Sequence, residues 1–275
     1  MSEALSFRWL GLSGIELEYK GKVLLIDPYF TRSSLLSILL GKMTSEPNLI
    51  LEHIEKCDWI LVTDTQCDHI TDIPEIIRLT NADCFGSSQV TSLLKLKGCP
   101  PDKLKTSELG LSVDLNPYKI FCFPSDSSLK NRECSQRINT NADTGKCCIS
   151  FGIQVGGYLL RTNPGKDPDS SSYVDLLFLS PYNKLDYYEH IILRSKPRVV
   201  IPIDWDKGLR PLFGNPKSLD HYSSRIWNQK RHKIKKFISL IENLSPDTKV
   251  FIPEILQKYN LIDVIETTCQ RCIAM

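Results

Sequence analysis

From Phe7 to Tyr19 apolar and polar residues alternate, the period-two pattern of a half-buried strand. Lys20-Gly21-Lys22 marks a turn. Val23-Leu24-Leu25-Ile26 then runs without a polar break, as a strand covered on both faces does, and Asp27-Pro28 ends it. The opening therefore predicts a β-hairpin followed by a loop. Residues 31–50 read as loop and short helix, 52–57 as a short helix, and 59–63 as a strand. An apolar stripe behind Asp72 and Pro74 predicts a helix over 72–79. Residues 83–86 read as a short strand, and Ser88 as the cap of a helix reaching about Lys97.

The second half repeats this order. It predicts a strand over 120–124, a polar surface loop over 125–146, and a hairpin over 149–161 that turns at Gly156-Gly157. Strands over 174–179 and 198–203 follow, separated by a helical pattern at 187–194. A basic helix at about 222–242, a strand at 249–252 and a tail close the chain. Hairpins come first and strand–helix alternation second, twice over. That order predicts an α/β fold of two mixed β-sheets packed face to face, a four-layer αββα sandwich. No composition break marks a linker, so 1–275 is expected to be one domain, with its core over about 7–255 and a tail at 256–275.

Charge narrows the function classes a little. Basic residues number 34 and acidic ones 32, a net charge of +2, which gives no general reason for a nucleic-acid or anionic-membrane partner. The longest apolar run, residues 35–40, is far too short to span a bilayer. The N-terminus has no basic segment followed by an apolar one, so the expected location is cytoplasmic. Ten cysteines scattered over so long a chain predict reduced, mostly buried thiols. Cys147-Cys148 and Cys269/Cys272 would offer four thiolates to zinc, but adjacent cysteines are not spaced to chelate.

The strand at 59–63 ends in a cluster of metal-capable side chains: Asp64, Gln66, Asp68 and His69 stand at i, i+2, i+4 and i+5. Three further segments carry the same signal: Trp9-Leu-Gly-x-x-Gly14, Lys20-Gly-Lys-Val-Leu-Leu-Ile-Asp-Pro28, and Ile201-Pro-Ile-Asp-Trp-Asp206 with Arg210-Pro-Leu212. On these segments the chain resembles the metallo-β-lactamase superfamily over roughly residues 7 to 255. The late motif resembles that of its UlaG-like branch. The family's metal loop reads His-x-His-x-Asp-His, and its histidines hold one or two zinc ions that generate hydroxide for hydrolysis.

Carried over position by position, the resemblance puts Asp64 and Gln66 where the first two histidines belong and keeps only Asp68 and His69. The next histidine position falls in Ser125-Asp-Ser-Ser128, where Asp126 is the one plausible ligand. The bridging aspartate position reads Thr162-Asn-Pro-Gly165, and the last histidine falls on Asp204. Carboxylates and amides suit Mg²⁺ or Mn²⁺ rather than zinc. Four carboxylates in one site must bind a cation, take up protons or pair with Lys or Arg. For Asp68 and His69 the alternatives are a surviving metal pair, or a structural pair in which His69 bonds backbone and Asp68 caps the next helix. Asp64 and Asp204 read either as hard-metal ligands or as drift after metal loss.

The resemblance therefore implies two functions. One is a degenerate member without a zinc site, a pseudoenzyme that binds a small-molecule ligand or a protein partner in the old cleft. The other is a hydrolase of ester, phosphoester or lactone bonds that uses one Mn²⁺ or Mg²⁺, with Asp68 and His69 as catalytic residues. His53, His190, His221 and His232 read as surface or loop histidines. The basic run Lys230–Lys236 reads as a solvated helix face, with a phosphate or nucleic-acid patch as the alternative. Cys272-Ile-Ala-Met275 matches the form of a prenylation signal, against the simpler reading of an ordinary tail. The segments give no signal for or against a homo-oligomer.

Overall fold

The computed structural model describes residues 4–31, 45–125, 148–165, 173–206 and 224–266. The first half contains β1 (Ser6–Gly11), β2 (Gly14–Tyr19), β3 (Lys22–Ile26), α1 (Pro47–His53), β4 (Trp59–Val62), α2 (Cys67–Ile70), α3 (Ile73–Thr80), β5 (Asp83–Gly86), α4 (Ser88–Leu96) and β6 (Leu104–Thr106). The second contains β7 (Ser112–Leu115), β8 (Tyr118–Pro124), β9 (Ile149–Val155), β10 (Tyr158–Thr162), β11 (Leu176–Leu179), α5 (Leu185–Ser195), β12 (Val199–Pro202), α6 (Ser224–Leu244), β13 (Lys249–Val250), β14 (Lys258–Asn260) and α7 (Leu261–Glu266).

The strands form two seven-stranded sheets, in the orders β14-β1-β2-β3-β4-β5-β6 and β13-β12-β11-β10-β9-β8-β7. In each, antiparallel hairpins lead into parallel strands: β1 to β3 are antiparallel and β3 to β6 parallel, while β7 to β10 are antiparallel and β10 to β13 parallel. The repeated order read from the sequence is thus the repeated architecture of the fold.

Alternation along each strand divides the side chains between a central layer and two outer ones. Phe7, Trp9, Leu17, Leu24 and Leu61 of the first sheet meet Ile120, Phe151, Ile153, Leu176, Phe178 and Ile201 of the second between the sheets. Leu25, Ile60, Val62 and Cys84 face outward onto Ile50, Ile73, Ile76, Val90 and Leu94 of α1, α3 and α4. Leu177, Leu179 and Val200 face outward onto Tyr188, Ile191, Ile192, Phe237 and Ile241 of α5 and α6. This two-sided cover explains why β3, β4, β11 and β12 read as unbroken apolar runs. Each large side chain so buried contributes about 1.5–3 kcal/mol.

Several boundaries differ from the expectations. The helix expected over 52–57 instead spans 47–53, because Pro47 fits an N-terminal turn and lacks the donor that a helix interior needs. Ser87, not Ser88, caps α4 by accepting the Val90 N–H at 3.3 Å. Asp72 precedes α3 without capping it; its Oδ2 instead accepts the Phe30 and Thr31 N–H groups at 2.6 and 2.8 Å. The fold also extends past the expected tail boundary at 255. β14 pairs with β1, and Leu261 and Ile265 of α7 enter the central core.

Cys57, Cys84, Cys99, Cys122 and Cys148 are buried and outside any disulfide, and Cys67 is exposed. Burial pushes the Cys99 and Cys122 thiols up to about 11, which makes them poor nucleophiles. Cys147, Cys269 and Cys272 lie outside the described residues, as does the prenylation-like tail. No helix among the described residues is long and apolar enough to cross a membrane.

A close approach supplies a test of this packing. A methyl group on Gly86 would meet Val90 Cγ1 at 2.6 Å. Gly86→Ala is expected to cost about 1–3 kcal/mol in urea unfolding, and adding Val90→Ala to restore part of that loss. Strictly additive losses would show that β5 and α4 do not press on each other there.

Candidate functional site

The C-terminal ends of β1, β3, β4, β8, β10, β11 and β12 lie at one edge shared by both sheets. In layered α/β folds, ligands bind outside the carboxyl ends of parallel strands. Every described position of the family's metal motif falls here. Four non-glycine residues at this edge have positive φ: Leu12 (50°), Asp27 (44°), Asn163 (20°) and Asp204 (61°). Such a backbone costs roughly 1–2 kcal/mol at a residue like Leu12 and less at Asp or Asn, whose side chains bond locally.

The loop after β3 and the loop after β4 meet through Asp27. Its Oδ1 accepts the Thr63 N–H at 2.8 Å, and its Oδ2 accepts the Thr63 hydroxyl and lies 3.0 Å from His69 Nδ1. Thr63 Oγ1 also lies 3.3 Å from that nitrogen. The imidazole is thus oriented by a buried carboxylate, and its Nε2 makes no hydrogen bond among the described residues. Burial opposes the charged ring, but the Asp27 carboxylate outweighs it, with smaller contributions from Asp68 and Asp64, and pushes His69 from 6.5 up to about 10. The structural alternative for His69 is therefore corrected: its partner is a carboxylate and not backbone. Asp68 lies in the first turn of α2 and does not cap α3.

Asp64 is 3% exposed and turned into the protein. Its Oδ1 accepts the Thr65 N–H at 2.6 Å, and its Oδ2 accepts from Gln66 Nε2 at 2.8 Å and from Cys148 Sγ at 3.0 Å. Cys148 directly precedes β9, so this contact crosses from the first sheet to the second. One residue away, the Ile149 N–H donates to the Thr63 carbonyl at 2.9 Å.

A second set of cross-links joins the β1–β2 turn to the loop after β12. Asp204 Oδ1 accepts the Ser13 hydroxyl at 2.8 Å, the Asp204 N–H donates to the Leu12 carbonyl at 3.0 Å, and Asp206 Oδ1 accepts the Leu12 N–H at 2.9 Å. Trp9 and Trp205 stack beside them with ring centres 5.6 Å apart. At the bridging-aspartate position, Asn163 Oδ1 accepts the Ser180 N–H at 3.0 Å, and the Ser125 hydroxyl donates to the Asn163 carbonyl at 3.1 Å.

These residues do not fit a resident zinc. The Asp27–His69 pair has the orientation that a metal-ligating histidine needs. Without a metal, the Asp27 carboxylate favours the protonated ring, so a metal would have to displace that proton to bind. Asp64 gives both its oxygens, and Asp204 its Oδ1, to protein donors. No three His, Cys, Asp or Glu side chains among the described residues are placed to hold a metal ion. Asp126 lies outside the described residues. Of the residues read from the sequence, the fold brings Asp64, Gln66, Asp68 and His69 into one loop and anchors Asp204 across the cleft to Ser13. The reading missed Asp27, Thr63, Ser13, Cys148 and Asp206. The Asp-Pro stop after β3 was the available signal for Asp27, whereas nothing local marks Cys148 as the partner of Asp64.

The His69 ion pair has a defined pH dependence. Because the folded-state value lies above the unfolded one, its stabilisation is fully present below about pH 6.5 and is lost as pH rises through about 10. NMR of the His69 ring is expected to show a proton retained through neutral pH, and Asp27→Asn to bring the titration down towards the ordinary range. A wild-type midpoint near 6.5 would exclude the ion pair.

Known proteins agree with this architecture. No family model matches the chain. A UPF0173 metal-dependent hydrolase of Cupriavidus taiwanensis is 28% identical over 158 residues, 57% of this chain. That match spans 52% of the relative, so the chain covers about half its length. A UPF0173 metal-dependent hydrolase of Caldivirga maquilingensis is 35% identical over 259 residues, 89% of this chain and 93% of that one. Among solved structures, the metallo-β-lactamase fold protein YhfI of Bacillus subtilis superposes with a TM-score of 0.54 at 12% identity, over 93% of this chain and 99% of that one. That likeness shows the fold: two mixed sheets between helices, of metallo-β-lactamase type. With the Caldivirga relative matched over nearly its whole length, the chain belongs to the UPF0173 family, and its fold is of metallo-β-lactamase type.

Proposed function

We propose that this chain is a zinc-free member of its family that binds a small-molecule ligand in the cleft at the shared sheet edge. The observation that carries the reading is the state of Asp64. It stands where the family pattern has its first histidine, and its two oxygens accept from Thr65, Gln66 and Cys148. A carboxylate so engaged is a structural anchor. At these positions Asp64 and Asp204 make hydrogen-bonded links between the sheets, and Gln66 braces Asp64, at an edge whose backbone is strained. The His69 ring and Tyr182, which bonds the Trp205 carbonyl, are the polar groups this edge would offer a ligand.

A second reading is a hydrolase of ester, phosphoester or lactone bonds with one Mn²⁺ or Mg²⁺ in the Asp-rich loop. The names of the Cupriavidus and Caldivirga relatives, both metal-dependent hydrolases, favour it over the first. The donor set of this chain opposes it, because the metal would have to displace the donors on Asp64 and the proton on His69. Metal analysis of protein purified with Mn²⁺ and Mg²⁺ supplied separates the two. The binding reading expects well under one ion per chain and no change on Asp68→Ala. One ion per chain, lost in Asp68→Ala, would establish the hydrolase reading in its place.

A further inference from the structure

Lys230 and Lys233, one turn apart on α6, converge on a single tyrosine ring at the cleft rim. Lys230 Nζ donates to Tyr182 Oη at 2.6 Å and lies 5.0 Å from the ring centre, and Lys233 Nζ lies 3.8 Å from it. Tyr182 follows β11 at the cleft edge, and its hydroxyl donates to the Trp205 carbonyl at 3.3 Å. The topology explains the meeting. α6 connects β12 to the parallel strand β13, so it must run back across the sheet, starting at the cleft edge.

The sequence of this helix adds an independent observation. Between positions 224 and 241 it carries Arg225, Lys230, Arg231, Lys233, Lys235 and Lys236 and no Asp or Glu. Like charges three and four residues apart destabilise a helix, so this composition carries a cost that an anionic partner relieves. Two ammonium groups fixed on one ring match the charge and the several acceptors of a phosphate better than those of a carboxylate.

We propose that Tyr182, Lys230 and Lys233 form a phosphate-binding rim that takes the phosphate group of a phosphorylated small molecule. The proposal rests on the reading of the cleft only for where the rest of that molecule lies. Calorimetric titration of the full chain with pyrophosphate, at constant ionic strength in chloride, tests it. Wild type is expected to bind, and Lys230→Met with Lys233→Met to weaken binding roughly tenfold or more per lysine. Lys235→Met with Lys236→Met removes the same charge from exposed positions on the helix and is expected to change affinity less than about twofold.

No binding to wild type, equal loss in both double variants, or tighter binding of a single-stranded oligonucleotide than of pyrophosphate overturns the rim. Circular dichroism of each variant establishes that a loss is not unfolding. Loss of rim-dependent pyrophosphate binding overturns the rim alone, whereas one Mn²⁺ or Mg²⁺ per chain, lost in Asp68→Ala, overturns the cleft reading alone.

Discussion

Buried carboxylates at the shared sheet edge constrain everything else in this protein. A carboxylate out of water must find donors or a cation, because an unpaired buried charge costs far more than a folded domain has to spare. Asp27, Asp64 and Asp206 are each nearly inaccessible and each accept from the protein. Two of these contacts, Asp64 to Cys148 and Asp206 to Leu12, reach from one half of the chain to the other. They lie beside backbone bonds that do the same, from Ile149 to Thr63 and from Asp204 to Leu12. The sandwich is thus closed at its cleft end by polar links, while its interior is closed by apolar packing.

The loop after β4 belongs to one sheet and the loops after β8, β10 and β12 to the other. Asp64 and Asp204 join these halves directly, and each is braced by a neighbour: Gln66 donates to Asp64, and Ser13 donates to Asp204. The His69 ring at the same edge is oriented by the Asp27 carboxylate. Its raised proton affinity follows from three carboxylates around it.

Much of the fold was legible along the chain. The alternation of Phe7–Tyr19, the covered runs of β3 and β11, and the Gly156-Gly157 turn each express a local rule, and each element lies where that rule puts it. β6, β7 and β14 escaped because they are short, and β6 and β7 carry exposed polar residues. They exist because a neighbouring strand offers its edge, a condition that no window of sequence contains. Asp72 misled for the same reason. Its local pattern is that of a cap, yet the Phe30 and Thr31 amides, brought from a loop 41 and 42 residues away, claim its oxygen.

The sequence by itself determined the layers, their order and the positions of the family's metal motif, because burial periodicity and motif spacing are written locally. It also put Asp64, Gln66 and Asp204 where the resemblance expects histidines. What those side chains bond to was decided only by the tertiary structure. Whether Asp64 faces a metal or Cys148, whether His69 meets backbone or Asp27, and whether Lys230 points to solvent or onto Tyr182 depend on side chains 84, 42 and 48 residues away. Charge must be satisfied in three dimensions, and the packing of two sheets is what selects the partner.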